Sequence, residues 1–135
     1  MFSFHHVALS VSDIKVSCTF YNLLGFKQVH EWEADDKSLK IVHLKNAAAF
    51  IELFCYSSPE ALPAVHKDLD SDLKVIGTKH FGLKVNSLQE ARKLLTEHGV
   101  EMHTEIKNGR TEVDYFFVKD PDGILVEVVE DNRGY

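Results

Sequence analysis

The chain has 135 residues, 44% of them hydrophobic and 27% charged, with a net charge of −6 at pH 7. That length suits one compact domain or two very small repeats sharing a core, and the composition is that of an ordinary globular protein. Excess negative charge argues against nucleic acid or an anionic membrane surface as partner, and no apolar run is long enough to span a bilayer.

The opening residues MFSFHHVALS lack the basic-then-apolar order of a secretory signal. Residues 4–11 alternate as a strand does, with Val7, Leu9 and Val11 on one face. Ser12 or Asp13 can cap a helix that carries Val16, Phe20, Leu23 and Leu24 and stops at Gly25. Strand-like segments follow at 26–33, 39–45 and 49–55. Residues 57–77 are less regular, with Pro59, Pro63 and the acidic stretch Asp68 to Asp72, and read as a short helical linker. The order then recurs. Residues 79–85 alternate, with Phe81, Leu83 and Val85 on one face, and Ser87-Leu88-Gln89-Glu90 is a capping box for a helix with the stripe Leu88, Ala91, Leu94 and Leu95, ended by Gly99. Strands are expected at 100–106, 111–118 and 124–130, the last two joined by the turn Asp120-Pro121-Asp122-Gly123. The two cysteines, Cys18 and Cys55, form no C-x-x-C pair; free thiols in a reducing cytoplasm are the simplest reading.

Slid against itself, the chain places His6-Val7-Ala8-Leu9-Ser10-Val11 over His80-Phe81-Gly82-Leu83-Lys84-Val85, and Ile51-Glu52-Leu53 over Val126-Glu127-Val128 one residue further along. The expected architecture is therefore α+β: a single domain over 1–135 made of two βαβββ modules, repeat 1 at 4–56 and repeat 2 at 78–131, joined by the 57–77 linker. One module cannot cover both faces of its sheet, so the halves must pack on each other or on a second chain.

Strand alternation also says where four side chains point. His6 shares a face with Ala8 and Ser10, opposite the Val/Leu face, and His80 shares one with Gly82 and Lys84. Glu52 alternates against Ile51 and Leu53, and Glu127 against Val126 and Val128. Each half thus sets one imidazole and one carboxylate on the sheet face its helix leaves open. If the two faces curve together, His6, Glu52, His80 and Glu127 surround one metal cleft. A carboxylate inside Phe-Ile-Glu-Leu-Phe or Leu-Val-Glu-Val-Val is costly to bury without a partner or an ion. Mixed imidazole and carboxylate ligation suits one divalent ion per site, Zn, Ni, Co, Fe or Mn, with two positions left for water or substrate in an octahedral site. Calcium would need more oxygens. The aromatics Phe50, Phe54, Tyr115, Phe116 and Phe117 are candidates to line a pocket, although strand aromatics more often fill cores. His5 falls on the opposite face from His6 and is not expected to ligate. His30, His43, His66, His98 and His103 have no counterpart in the other repeat and read as structural or surface residues.

These features resemble the vicinal oxygen chelate superfamily, which includes glyoxalase I, bleomycin-resistance proteins, fosfomycin-resistance enzymes, extradiol dioxygenases and methylmalonyl-CoA epimerase. The carriers are His6 to Asp13, Phe20-Tyr21 through Leu24-Gly25-Phe26, Ile51-Glu52-Leu53, His80 to Val85, and Asp120-Pro-Asp-Gly123 running to Glu127. Within it the His, Glu, His, Glu order resembles glyoxalase I. The resemblance implies His6, Glu52, His80 and Glu127 as ligands and a homodimer with sites shared between chains. It implies a metal-dependent lyase that turns the hemithioacetal of a 2-oxoaldehyde such as methylglyoxal and a thiol into a 2-hydroxyacyl thioester through an enediolate. Glu127 would be the catalytic base and Glu52 its partner in proton return. Ser10 stands where bacterial glyoxalase I usually has a cation in the first strand, and Tyr56 where it has an Asn beyond the first Glu, so the thiol stays open. Tyr56 with Phe50, Phe54, Lys84, Arg110 and Phe117 are candidate substrate contacts, and Lys107 is a further cation; each cation reads more simply as a surface residue. Other members of the superfamily are alternatives: an epimerase, a thiol transferase acting on an antibiotic, or a non-enzymatic drug-binding protein.

Overall fold

The structure, a computed structural model, describes residues 1–134. It divides into two compact units, the first Met1–Ala61 and the second from Leu62 onward. Each holds a four-stranded mixed sheet with a helix, which makes the architecture α+β as expected.

In the first unit, strand β1 (His6–Ser10) leads into helix α1 (Ile14–Leu23), and strands β2 (Lys27–Glu33), β3 (Leu39–Asn46) and β4 (Ala49–Tyr56) follow. The sheet order is β1-β4-β3-β2, with β1 parallel to β4 and the other pairs antiparallel. Asp13 is the N-cap: its Oδ1 accepts from the backbone N–H of Lys15 at 2.8 Å and of Val16 at 3.0 Å. At the other end Gly25 takes φ +89°, a backbone conformation that calls for glycine. The core of this unit is Phe20, Tyr21, Phe26, Val42, Leu44, Ile51 and Leu53. Val16, placed by the sequence on the buried stripe, is instead 50% exposed, and Ser17 and Tyr21 are buried. The helix is rotated by about one residue from its apolar pattern, so that the large ring of Tyr21 fills the interior.

The second unit opens with a 3₁₀ turn at Ala64–His66 and the short helix α2 (Leu69–Asp72). The buried Asp72 carboxylate fastens this stretch. Its Oδ1 accepts from His66 Nδ1 at 2.7 Å and Lys79 Nζ at 3.2 Å. Burial opposes its ionisation, but those two bonds outweigh burial and hold the carboxyl below its usual range. Strand β5 (Phe81–Lys84), helix α3 (Leu88–Glu97) and strands β6 (Lys107–Asn108), β7 (Asp114–Lys119) and β8 (Leu125–Glu130) complete the unit in the order β5-β8-β7-β6. Ser87 caps α3 by accepting from the Glu90 N–H at 3.3 Å, and Glu130 of β8 adds a second cap by accepting from the Leu88 N–H at 3.0 Å. The β7–β8 hairpin turns as expected at 120–123: Asp120 Oδ1 accepts from the N–H groups of Asp122 and Ile124 at 2.9 and 2.8 Å, and Gly123 takes φ +89°. Leu88 and Leu95 are buried, whereas Leu94, expected on the same stripe, is 44% exposed.

Two strands differ from expectation. Residues 100–106 do not form one; a lone bridge joins Met102 to Val118, and β6 comes later and is two residues long. The cause is Thr104, whose Oγ1 accepts from the Phe117 N–H at 2.9 Å, while the N–H groups of both His103 and Thr104 converge on the Phe117 carbonyl. A side chain has taken the place of a ladder bond. The strand expected at 111–118 starts only at Asp114, because residues 109–113 close a turn with Glu112 at φ +64° and the Gly109 N–H bound to the Val113 carbonyl at 2.7 Å. The first strand of each unit is also shorter than 4–11 and 79–85, so His5 and His80 stand just ahead of β1 and β5.

Candidate metal centre

Strand register builds the two halves of the candidate site in the same way. In the parallel pair β1/β4, Ala8 lies opposite Glu52, two residues past His6. In the parallel pair β5/β8, Gly82 lies opposite Glu127, two residues past His80. Because alternate residues share a strand face, each histidine and its glutamate meet on the same side of adjacent strands. The flanking Ile51, Leu53, Val126 and Val128 point the other way and are buried at 0–2% exposure. The glutamates remain partly open, with 23% of the Glu52 side chain and 22% of the Glu127 side chain exposed.

In the first unit His6 Nε2 lies 3.6 Å from Glu52 Oε2. The other carboxylate oxygen, Oε1, accepts a hydrogen bond from His43 Nε2 at 2.8 Å. His43 sits directly across from Glu52 in the β3/β4 hairpin. His5 joins the group despite its expected orientation: its Nδ1 is 3.0 Å from His6 Nδ1, and its ring stacks on Phe50 at 4.9 Å between centroids. Lying outside the strand, His5 escapes the alternation that would have turned it away. A histidine pair missed in sequence reading thus surrounds His6 and Glu52. The signal for His43 was cross-strand pairing: a hairpin closed by Asn46 and Ala49 puts residue 43 opposite residue 52.

In the second unit His80 Nε2 is 3.3 Å from Glu127 Oε2. The edge of Phe117 meets the His80 ring at 4.8 Å, and Phe117 is the residue opposite Glu127 in the β7/β8 hairpin. Gly82 lies beside the carboxylate, and a Cβ there would make ordinary contact 3.4 Å from Glu127 Oε2. His80 Nδ1 is buried with no hydrogen-bond partner among the described residues.

The spacing within each pair fits a shared divalent ion. Two donors each held about 2.1 Å from one ion lie about 3.0 Å apart at a right angle and about 3.4 Å apart at the tetrahedral angle. The His6–Glu52 and His80–Glu127 separations of 3.6 and 3.3 Å are near these values, whereas 2.8 Å for His43–Glu52 is a hydrogen-bond length. Among the described residues no cluster of three or more His, Cys, Asp or Glu is arranged to hold a metal by itself. Each pair by itself offers one imidazole and one carboxylate.

The remaining candidates are spread more widely. Phe50 and Phe54 are half-buried in β4 on the Glu52 face, with Lys45 Nζ 5.3 Å above the Phe50 ring. Tyr56 is 51% exposed at the end of β4. Phe117 packs on His80 and is 2% exposed; Phe116, on the opposite face, is fully buried, and Tyr115 meets the Phe117 edge at 5.7 Å. Lys84 is exposed at the end of β5, Lys107 in β6 and Arg110 in the following turn, and none contacts the His–Glu pair of its unit. The other histidines have local partners: His66 on Asp72, His98 on the Leu94 carbonyl at 2.8 Å, and His103 3.7 Å from Asp68. His30 is exposed with its ring 5.9 Å from that of His43. Cys18 and Cys55 are free thiols, and burial pushes the Cys18 thiol upward. No helix among the described residues is long and apolar enough to cross a membrane.

Comparison with known proteins bears on the fold and the family. The Escherichia coli protein YaeR, whose name describes it as uncharacterized, is 32% identical over 129 residues, covering 93% of this chain and 94% of that one. An Arabidopsis thaliana protein named Glyoxylase I 4 is 27% identical over 128 residues, covering 93% of this chain and 69% of its own. The crystal structure of a glyoxalase family protein from Enterococcus faecalis superposes with a TM-score of 0.80 at 27% identity, covering 95% of this chain and 97% of that one. The family model for the Glyoxalase/Bleomycin resistance protein/Dioxygenase superfamily matches residues 3–128, nearly the whole chain, and the chain belongs to that superfamily.

Proposed function

We propose that the chain is a metal-dependent lyase of the glyoxalase I type, with His6, Glu52, His80 and Glu127 holding one divalent ion, Ni, Zn or Co in first place. The observation that carries this reading is the repeated register, in which each unit sets a histidine two residues before the position facing its glutamate. The four ligands come together within one chain or across a homodimer with shared sites. The free cysteines suit a cytoplasmic setting. Similarity to the Arabidopsis Glyoxylase I 4 supports the reaction class.

The substrate is the hemithioacetal of a 2-oxoaldehyde such as methylglyoxal. A divalent ion held by His6, Glu52, His80 and Glu127 would supply electrophilic polarisation of the substrate. Glu127 takes the proton from C1; the C–H electron pair becomes the C1=C2 bond, and charge moves to the C2 oxygen. The proton held by Glu127 then returns at C2, and the C1 hydroxyl passes its proton to the C2 oxygen as the thioester carbonyl forms. Atoms balance, and no redox partner is needed. Phe50 and Phe54, on the Glu52 face, supply an apolar wall that limits water near the reacting carbons. Ser10 stands where bacterial glyoxalase I usually has a cation and Tyr56 where it usually has an Asn, so the thiol is open to a carrier other than glutathione.

The test is apo protein reloaded with Ni or Zn and assayed on methylglyoxal with a panel of thiols, glutathione included. A metal-dependent rise of 2-hydroxyacyl thioester with at least one thiol is expected. Tight metal binding without turnover on any thiol would remove the lyase reading in favour of an epimerase acting next to a thioester.

A further inference from the structure

The two half-sites share a register but not a neighbourhood. At the hairpin position facing the glutamate, the first unit has His43 and the second has Phe117. His43 Nε2 donates to Glu52 Oε1 at 2.8 Å, which leaves Oε2 alone turned toward His6. An ionised carboxylate only accepts, so the proton of this bond belongs to His43 and the imidazole lone pair at Nε2 is not free for an ion. The 2.8 Å distance also falls short of the spacing between two ligands of one ion. Glu127 lies between Gly82, which has no side chain, and the apolar ring of Phe117. Similarly, His6 Nδ1 has His5 Nδ1 at 3.0 Å, while His80 Nδ1 is buried without a partner among the described residues. One half-site is braced by hydrogen bonds at both donors, and the other is lined by a glycine and a phenyl ring.

We infer that His43 is a positioning residue that locks Glu52 as a fixed single-oxygen ligand, so that the unbraced Glu127 is the carboxylate that can leave the ion and carry a proton. The assignment rests on the proposed metal site and deepens it. A hydrogen bond to a ligand's free atom fixes its orientation and raises metal affinity. A carboxylate with one oxygen tied down cannot swing without breaking a charge-assisted hydrogen bond. Glu127 pays no such cost. The division of labour between two glutamates at matching positions then follows from one residue on the facing strand.

The test compares wild type with His43→Phe, which installs the residue of the second repeat, and with His43→Gln, whose side-chain amide can still donate to Glu52. Zn affinity is read by chelator competition, with the far-UV spectrum and the apo melting temperature as fold controls. His43→Phe is expected to weaken Zn binding by about 10- to 100-fold, with the apo melting temperature close to wild type. His43→Gln is expected to recover most of the loss. Unchanged affinity in His43→Phe would overturn the positioning role while leaving the metal site standing. A loss that His43→Gln fails to restore would also overturn it, pointing to His43 as a direct ligand. Wild type that binds no Zn would bring down the metal reading, and this inference with it.

Discussion

Glu127→Gln is expected to lower kcat of the metal-loaded protein by about 10²- to 10⁴-fold while leaving it able to bind metal. The amide keeps an oxygen at the position 3.3 Å from His80 Nε2 but has no basicity, so the proton transfer from C1 is lost and the ligand is only weakened. Glu52→Gln should show the opposite balance. It removes the negative acceptor of the His43 bond and an anionic ligand, so metal affinity falls first and the loaded protein keeps more of its turnover. Measuring kcat at saturating metal, alongside chelator-competition affinity for both variants, separates the two roles. If Glu127→Gln loses only metal affinity and turns over normally when loaded, the base is another residue.

His80→Ala is expected to abolish stoichiometric metal binding, and with it the stabilisation that metal provides. An ion that binds only the folded chain stabilises it by about 2.7 kcal/mol when present at 100 times its dissociation constant, which for a chain of this length raises the melting temperature by on the order of 8 °C. That rise should be seen in wild type on adding Zn or Ni and be absent in His80→Ala. Loss of the ring also leaves Phe117 without its edge contact, so some stability is lost in the apo variant as well. Thermal melts with and without metal distinguish the two effects. An equal metal-induced shift in wild type and variant would remove His80 from the ligand set.

Much of this arrangement was legible because strands carry a period of two. The apolar neighbours Ile51, Leu53, Val126 and Val128 are buried, and the glutamates between them consequently face the other side with the histidines. Turn chemistry was equally direct at Asp120 to Gly123, where one carboxylate and one left-handed glycine specify the hairpin. What stayed hidden depends on partners distant in sequence. His43 faces Glu52 only through hairpin register, and comparison of the repeats hid it because Phe117 holds the matching place. His5 ends up beside His6 because β1 begins one residue later, at His6. The segment 100–106 carries a strand-like pattern, but the Thr104 hydroxyl competes with the backbone for Phe117 and stops a ladder from forming. Val16 and Leu94 are apolar in sequence yet exposed, since helix rotation is set by which larger side chain the sheet accepts.

The central claim, a four-ligand divalent metal site, is tested most directly by the metal content of protein purified without exposure to chelator, measured by elemental analysis. Close to one Ni, Zn or Co ion per chain, lost from His80→Ala, is the expected result. Stoichiometric absence of divalent metal, with none taken up on adding Ni or Zn to a folded sample, would contradict it.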